Sequence, residues 1–270
     1  MNMNPMTSYF TLSNGVNIPM VGLGTWQIPN DQVFDVVMNA FEVGYTHIDS
    51  AQGYQNEEGV GRAIKASSLP RESIFVTTKL PSHIKGYQET LDSFEQSMKD
   101  LQLEVLDLYL IHAPWPWSNI GQDCTQGNIE SFKAMIDLYK QGRIRSIGVS
   151  NFSVKDLKAI MDATGFAPHV NQIRFYVGDT QDEIVSFCQA NNILVEAYSP
   201  LATGRILNHP ELLQMAEQKG VTIAQLCIKY CLQKNTLPLP KTTKKERMIE
   251  NASLDFTLSE EEMKKLDRIK

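Results

Sequence analysis

Apolar positions along this chain follow two periods. Short apolar runs begin near Val21, Thr46, Ile74, Leu106, Ile144, Val170, Leu194 and Leu237. Between them lie longer stretches with helical spacing, such as Val33–Val43, Thr90–Leu101 and Ile129–Lys140. The run Val105–Ile111 is almost continuously apolar, the pattern of a parallel strand covered on both faces. Ahead of the first run, Phe10–Leu12 and Val16–Ile18 flank Ser13-Asn14-Gly15 and predict a β-hairpin whose tight turn uses the tolerance of Asn-Gly for positive φ. Hydroxyl residues followed three positions later by Glu or Gln predict capped helix starts at Thr180 with Glu183, Thr222 with Gln225, and Ser259 with Glu262.

Eight strands alternating with helices is the rhythm of a (β/α)8 barrel, although an open doubly wound sheet gives the same local signals. The 270 residues carry no Pro/Gly/Ser-rich linker or short repeat, so residues 1–270 are expected to form a single domain. A formal net charge of −6 argues against nucleic acid as a partner. No run approaches the roughly 20 apolar residues of a membrane helix, and Met1–Phe10 lacks a signal-peptide core. Cys124, Cys188, Cys227 and Cys231 are scattered, which fits reduced thiols and a cytoplasmic location. The five histidines lack zinc-ligand spacing, so no metal is expected.

In a barrel of this kind the chemistry lies where strands end. The second run ends in His47-Ile48-Asp49, with Tyr54 soon after; the third ends in Lys79 and the fourth in His112. Each has an ordinary alternative: the carboxylate as a helix cap, the tyrosine as packing, the lysine and histidine as solvated strand ends. Their convergence on three successive strands favours a joint chemical role. A second cluster, Lys241-Thr242-Thr243-Lys244-Lys245-Glu246-Arg247, is basic in an acidic protein and stands at a helix start, where it is either a solvated charge run or an anion site.

The segment Ile48-Asp49-Ser50-Ala51-Gln52-Gly53-Tyr54-Gln55-Asn56-Glu57 resembles the aldo-keto reductase signature, in the bacterial, diketogluconate reductase-like branch. Thr78-Lys79-Leu80, Leu110-Ile111-His112, Gly148–Phe152, Val170-Asn171-Gln172, Ala197–Leu201 and Pro240-Lys241-Thr242 with Arg247 and Glu250-Asn251 continue the resemblance in order, from about Val21 to Leu258. It implies an α/β protein, a (β/α)8 TIM barrel with an N-terminal β-hairpin and an extra C-terminal helix, and NADPH-dependent, reversible reduction of aldehydes and ketones. It implies Tyr54 as general acid. Lys79 would lower the phenol pKa, Asp49 would hold Lys79, and His112 would orient the carbonyl. For NADPH/NADP+ it implies Gly24 and Thr25; Ser150, Asn151 and Gln172 on the carboxamide; Tyr198 stacked on the nicotinamide; Ser199 and Leu201 over the pyrophosphate; Lys241, Thr242 and Arg247 on the 2′-phosphate; and Glu250 and Asn251 at the adenine. Trp26, Trp115 and Trp117 would supply aromatic walls to the pocket of a small carbonyl substrate.

The sequence departs from that pattern in places. Leu80-Pro81 and Ala113-Pro114 stand where relatives often carry tryptophan, and Ile173-Arg174-Phe175-Tyr176-Val177 replaces a Glu and His-Pro stretch. The chain also ends soon after a helix at Leu258–Ile269, without a long tail, which predicts an open, permissive pocket. Gly22-Leu23-Gly24 is a poor dinucleotide fingerprint and is read instead as permitting close backbone approach. A monomer is expected. The competing readings are a nucleotide-sensing regulatory subunit on the same fold with little turnover, disfavoured by the presence of Asp49, Tyr54, Lys79 and His112 together, and a metal-dependent isomerase or hydrolase barrel, for which no ligand set stands at the strand ends.

Overall fold

The computed structural model describes residues 4–269. An antiparallel hairpin comes first, β1 (Tyr9–Thr11) and β2 (Asn17–Pro19). Eight strands follow: β3 (Leu23–Gly24), β4 (His47–Asp49), β5 (Phe75–Leu80), β6 (Leu106–Ile111), β7 (Ile144–Ser150), β8 (Val170–Arg174), β9 (Leu194–Tyr198) and β10 (Thr236–Leu239). Each pairs in parallel with the next in sequence. The two ends meet: Gly22 N donates to Pro238 O at 3.2 Å and Gly24 N to Pro240 O at 3.1 Å, so the sheet curls into a (β/α)8 barrel.

The helices between strands are α1 (Asn30–Val43), α2 (Glu57–Ala66), α3 (Tyr87–Leu101), α4 (Thr125–Lys140), α5 (Val154–Thr164), α6 (Asp182–Ala190), then α7 (Pro210–Lys219) and α8 (Ile223–Gln233) before the last strand, and α9 (Lys245–Ala252) after it. An additional helix, α10 (Glu260–Leu266), closes the description. In α1, Val33, Val36, Val37, Ala40 and Phe41 are buried, the spacing of one helix face against the sheet. The expected ends at Val43, Leu101 and Lys140 coincide with the observed ones, while each of those helices starts about one turn earlier, in polar residues that carry no periodic signal. Among the described residues no helix is long and apolar enough to cross a membrane.

Two cores result. One lies between strands and helices; the other fills the lower barrel with Phe75, Leu108, Leu110, Val170, Leu237 and Leu239, and the hairpin plugs it with Leu12 and Ile18. The hairpin turn spans the expected residues and differs in one dihedral. Only Gly15 takes positive φ, at 83°. Gly15 N donates to Leu12 O and Leu12 N to Val16 O, each at 2.8 Å, which makes the expected three-residue loop Ser13-Asn14-Gly15, ending in a left-handed glycine and with Asn14 outside the positive-φ region. The Asn14 amide is freed to donate to Arg145 O at 3.0 Å, tying the plug to the barrel floor.

The capping boxes at Thr222 and Ser259 are present, but the one expected at Thr180 is not. Helix α6 starts at Asp182 from Gln181, whose φ of 45° and side-chain bond to Arg174 O place Thr180 outside the cap position. A box that the Glu/Gln pattern misses stands at Ser153 with Asp156. Gly22 is needed for close approach, as expected: a Cβ there would lie 2.6 Å from Leu239 Cδ2 and 2.7 Å from His47 Nδ1.

Candidate active site

The upper half of the barrel interior is polar, and the strand ends set its geometry. β4 delivers Asp49 and leads into a single 3-10 turn, Gln52–Tyr54, that brings Tyr54 back over the barrel. β5 carries Lys79, His112 follows β6, β8 carries Gln172, and β9 ends in Tyr198. Asn151 and Ser199, directly after β7 and β9, adopt left-handed φ values of 62° and 52°, turning the chain sharply at the rim.

Lys79 is completely buried. Its Nζ donates to Asp49 Oδ1, Asp49 Oδ2 and Ser50 O, all at 2.8 Å, and reaches Tyr54 OH at 3.4 Å. An ammonium with no water needs this set of acceptors to remain charged. Burial pulls the Lys79 pKa down, but Asp49 and Tyr54 outweigh it and leave the group above its ordinary value. Tyr54 shows the opposite balance. Burial raises the phenol, Lys79 pulls it back and Asp49 opposes Lys79, with a net rise. The expected lowering by Lys79 is therefore present as one contribution and is overridden by burial. Tyr54 and His112 meet edge to face, with ring centroids 5.5 Å apart. Burial, then Lys79 and Lys85, push His112 down to about 3, so its imidazole is neutral at ordinary pH.

Beside these groups, Ser150 Oγ donates to Gln172 O at 2.8 Å, and Asn151 Nδ2 donates to Ser150 Oγ and to His112 O. Tyr198 OH donates to Asn151 Oδ1 at 2.7 Å, which fixes the tyrosine ring at the cleft wall. The cleft that runs from Asp49, Tyr54 and His112 past Tyr198 to Lys241, Arg247 and Asn251 measures about 1610 Å³. That exceeds the roughly 300–1,000 Å³ of a site for one drug-sized ligand, and leaves room for a long cofactor with a small partner. At its far end Lys241 and Arg247 are exposed and, among the described residues, form no ion pair or side-chain hydrogen bond, so their charge is available to an anion. α9 starts there without a side-chain cap, and the Thr242 hydroxyl accepts from Lys244 N. Glu250 accepts from Thr222 Oγ1 at 2.7 Å.

The residues expected from sequence gather along this one cleft, with three exceptions. Lys79 lies beneath it. Thr25 is buried, with its N–H and hydroxyl both donating to Asp49 O at 3.0 Å, so it braces β4 and does not line the cleft. Trp115 stands behind Trp117, with rings 4.8 Å apart, and Trp117 takes the wall position with Trp26. Arg174 and Tyr176, in the stretch that departs from the family pattern, and Arg205, in the loop after Ser199, line the cleft as well, whereas the buried Glu196 was missed. For Glu196 a signal existed: a lone charge in the middle of the apolar run Leu194–Tyr198.

The model of the aldo/keto reductase family matches residues 20–270. A glyoxal reductase of Bacillus subtilis is 41% identical over 260 residues, covering 96% of this chain and 91% of that protein. Among solved structures, an aldo/keto reductase from Brucella melitensis superposes with a TM-score of 0.92 at 37% identity, covering 99% of this chain and 98% of that one. A Bombyx mori aldo-keto reductase in complex with NADP gives 0.86 at 32% identity, with 96% and 92% covered.

Proposed function

The chain belongs to the aldo/keto reductase family and is an NADP-dependent oxidoreductase of carbonyl and alcohol groups; from that premise we propose that it reduces small aldehydes, dicarbonyls and ketones, with Tyr54 as the proton donor. The observation that carries the reading is the buried chain of contacts from Asp49 through Lys79 to Tyr54 at the head of the cleft. Bound NADPH supplies the hydride to the carbonyl carbon. Tyr54, whose phenol stays protonated at neutral pH, releases its proton to the carbonyl oxygen, and the phenolate left behind faces the Lys79 ammonium. Asp49 keeps that ammonium charged and in place. His112, neutral, donates a ring N–H to the same oxygen and holds it beside Tyr54.

The rest of the cleft fits the cofactor. Gln172 would meet the carboxamide, Tyr198 would lie against the nicotinamide, Ser199 and Leu201 would border the pyrophosphate, and Lys241, Thr242 and Arg247 would take the 2′-phosphate, which would favour NADPH over NADH. The wide mouth between Trp26 and Trp117, each 47% exposed, suits a range of small carbonyls.

The test is NADPH oxidation with a panel of aldehydes, dicarbonyls and ketones, NADH in parallel, for wild type and Tyr54→Phe. Turnover is expected with NADPH and is expected to fall at least about 100-fold in Tyr54→Phe while NADPH still quenches protein fluorescence. Wild-type turnover by the variant removes Tyr54 as the acid, and binding without turnover in the wild type replaces the enzyme by a nucleotide sensor.

A further inference from the structure

Gln172 has two amide N–H donors, and both are committed inside the barrel. Its Nε2 lies 2.8 Å from Asp49 Oδ1 and 2.8 Å from Glu196 Oε2. An amide oxygen placed there would confront the Asp49 carboxylate, which is ion-paired to Lys79 and can only accept, so the nitrogen occupies that position and Oε1 is turned away. Gln172 lines the cleft, and among the described residues no group donates to its Oε1.

Asp49 has a further partner in Lys79, but Glu196 has no comparable one. It is completely buried on β9; among the described residues its Oε1 has no hydrogen-bond partner and stands 3.9 Å from His47 Nε2, which shares a hydrogen bond with Thr77 Oγ1. Placing a carboxyl group in the centre of a barrel with one satisfied oxygen is costly. Among the described residues its one side-chain hydrogen bond is that from Gln172. Burial and the nearby Asp49 push the Glu196 carboxyl up to about 8, so near neutrality two acids meet one amide without the repulsion of two anions.

We infer that Glu196 is a positioning residue that locks the Gln172 amide so that only its acceptor oxygen faces the cleft, selecting a ligand N–H at that point. A glutamine free to turn over offers a donor or an acceptor; one with both N–H groups engaged offers an acceptor alone. The inference rests on the reading that Gln172 meets the nicotinamide carboxamide, whose nitrogen supplies such an N–H.

The experiment compares binding of NADP+ with that of its 3-acetylpyridine analogue, in which a methyl group replaces the amide nitrogen, by fluorescence quenching. Wild type is expected to prefer NADP+ by about tenfold. Gln172→Met should erase the preference. Glu196→Leu should erase it too, whereas Glu196→Gln, whose amide oxygen can accept from Gln172, should keep it. Retention in Glu196→Leu alongside loss in Gln172→Met overturns the role of Glu196. No preference in the wild type overturns the carboxamide contact, and the inference falls with it. The unaltered chain provides a readout that does not depend on a Glu196 variant folding. With 15N-glutamine labelling, the Gln172 side-chain protons, assigned by their loss in Gln172→Met, should exchange about 100-fold more slowly than those of exposed glutamines. Exchange at the exposed rate overturns the lock.

Discussion

Glu57 is a carboxylic acid folded into a place where it prefers to be neutral. It opens α2, yet it is 4% exposed, and its carboxyl accepts from Thr78 Oγ1 at 2.5 Å and Ser97 Oγ at 3.2 Å. Burial raises it, the two hydroxyl donors pull it back, and it settles at about 7. Thr78 and Lys79 are neighbours on one strand, so Glu57 grips β5 from the helix side while Asp49 grips it from the barrel side. The native pKa lies above the ordinary 4.5, so folding takes up a proton in the interval between the two values. Stability from this group is complete below pH 4.5, declines up to about 7, and is level above that, by about 3 kcal/mol at full linkage. Glu196 adds a decline of the same sign up to about 8. We expect Glu57→Gln to lose much of the fall in thermal midpoint that the wild type shows between pH 4.5 and 7. Equal slopes in wild type and variant would show that Glu57 is ionised in the fold. Neither glutamate was found from sequence: Glu196 showed only as a lone charge in an apolar run, and Glu57 is made unusual by burial against residues distant along the chain. Asp49, Tyr54, Lys79 and His112 were legible because each stands at or just beyond the end of an apolar run, where local pattern alone places it at the barrel rim.

At the scale of elements, local chemistry decided starts and stops only where the backbone allowed it. Ser153 holds the first turn of α5 through Asp156 N at 3.3 Å, and Asp156 answers through Ser153 N at 3.0 Å. Thr180 has the right neighbour in Glu183, but the left-handed Gln181 intervenes, so the same spacing makes no cap. Ser153→Ala should therefore cost about 1 kcal/mol and lower the thermal midpoint by about 2–4 °C, while Thr180→Ala should change it by less than about 1 °C. Equal effects in the two variants would contradict the assignment of caps. The same contrast marks how far sequence reading reached. Strand positions were legible to within one or two residues because an apolar run bounded by polar residues is a local property. The start of α6 was not, because positive φ at a single residue, Gln181, changed which backbone groups came into reach.

The barrel as a whole has a seam where β3 meets β10, and its weakness follows in part from a proline. In a parallel ladder one residue donates its N–H to the partner strand and accepts from it two positions on. Gly22 N donates to Pro238 O, and the answering bond to Gly22 O would have to come from residue 240, which is proline and has no N–H. Gly24 N to Pro240 O is the other backbone bond across the gap among the described residues, and both run from β3 to β10. By contrast β6 and β7, buried on both faces, pair over five registers. Amides of Gly22 and Gly24 should therefore exchange with solvent well ahead of those in β6 and β7 when the protein is free. Gly24, on one side of the seam, and Lys241 and Thr242, on the other, all line the cleft proposed to hold the cofactor. A ligand touching both sides closes the seam from above, and its binding energy adds to the stability of the closed form. Saturating NADP+ should then slow exchange at Gly22 and Gly24 by about tenfold or more, with little change at the floor of the barrel near Ser146. Uniform protection throughout the barrel would mean that the sheet opens as one unit, with no weak seam. Protection confined to residues far from Gly24 would place the dinucleotide elsewhere.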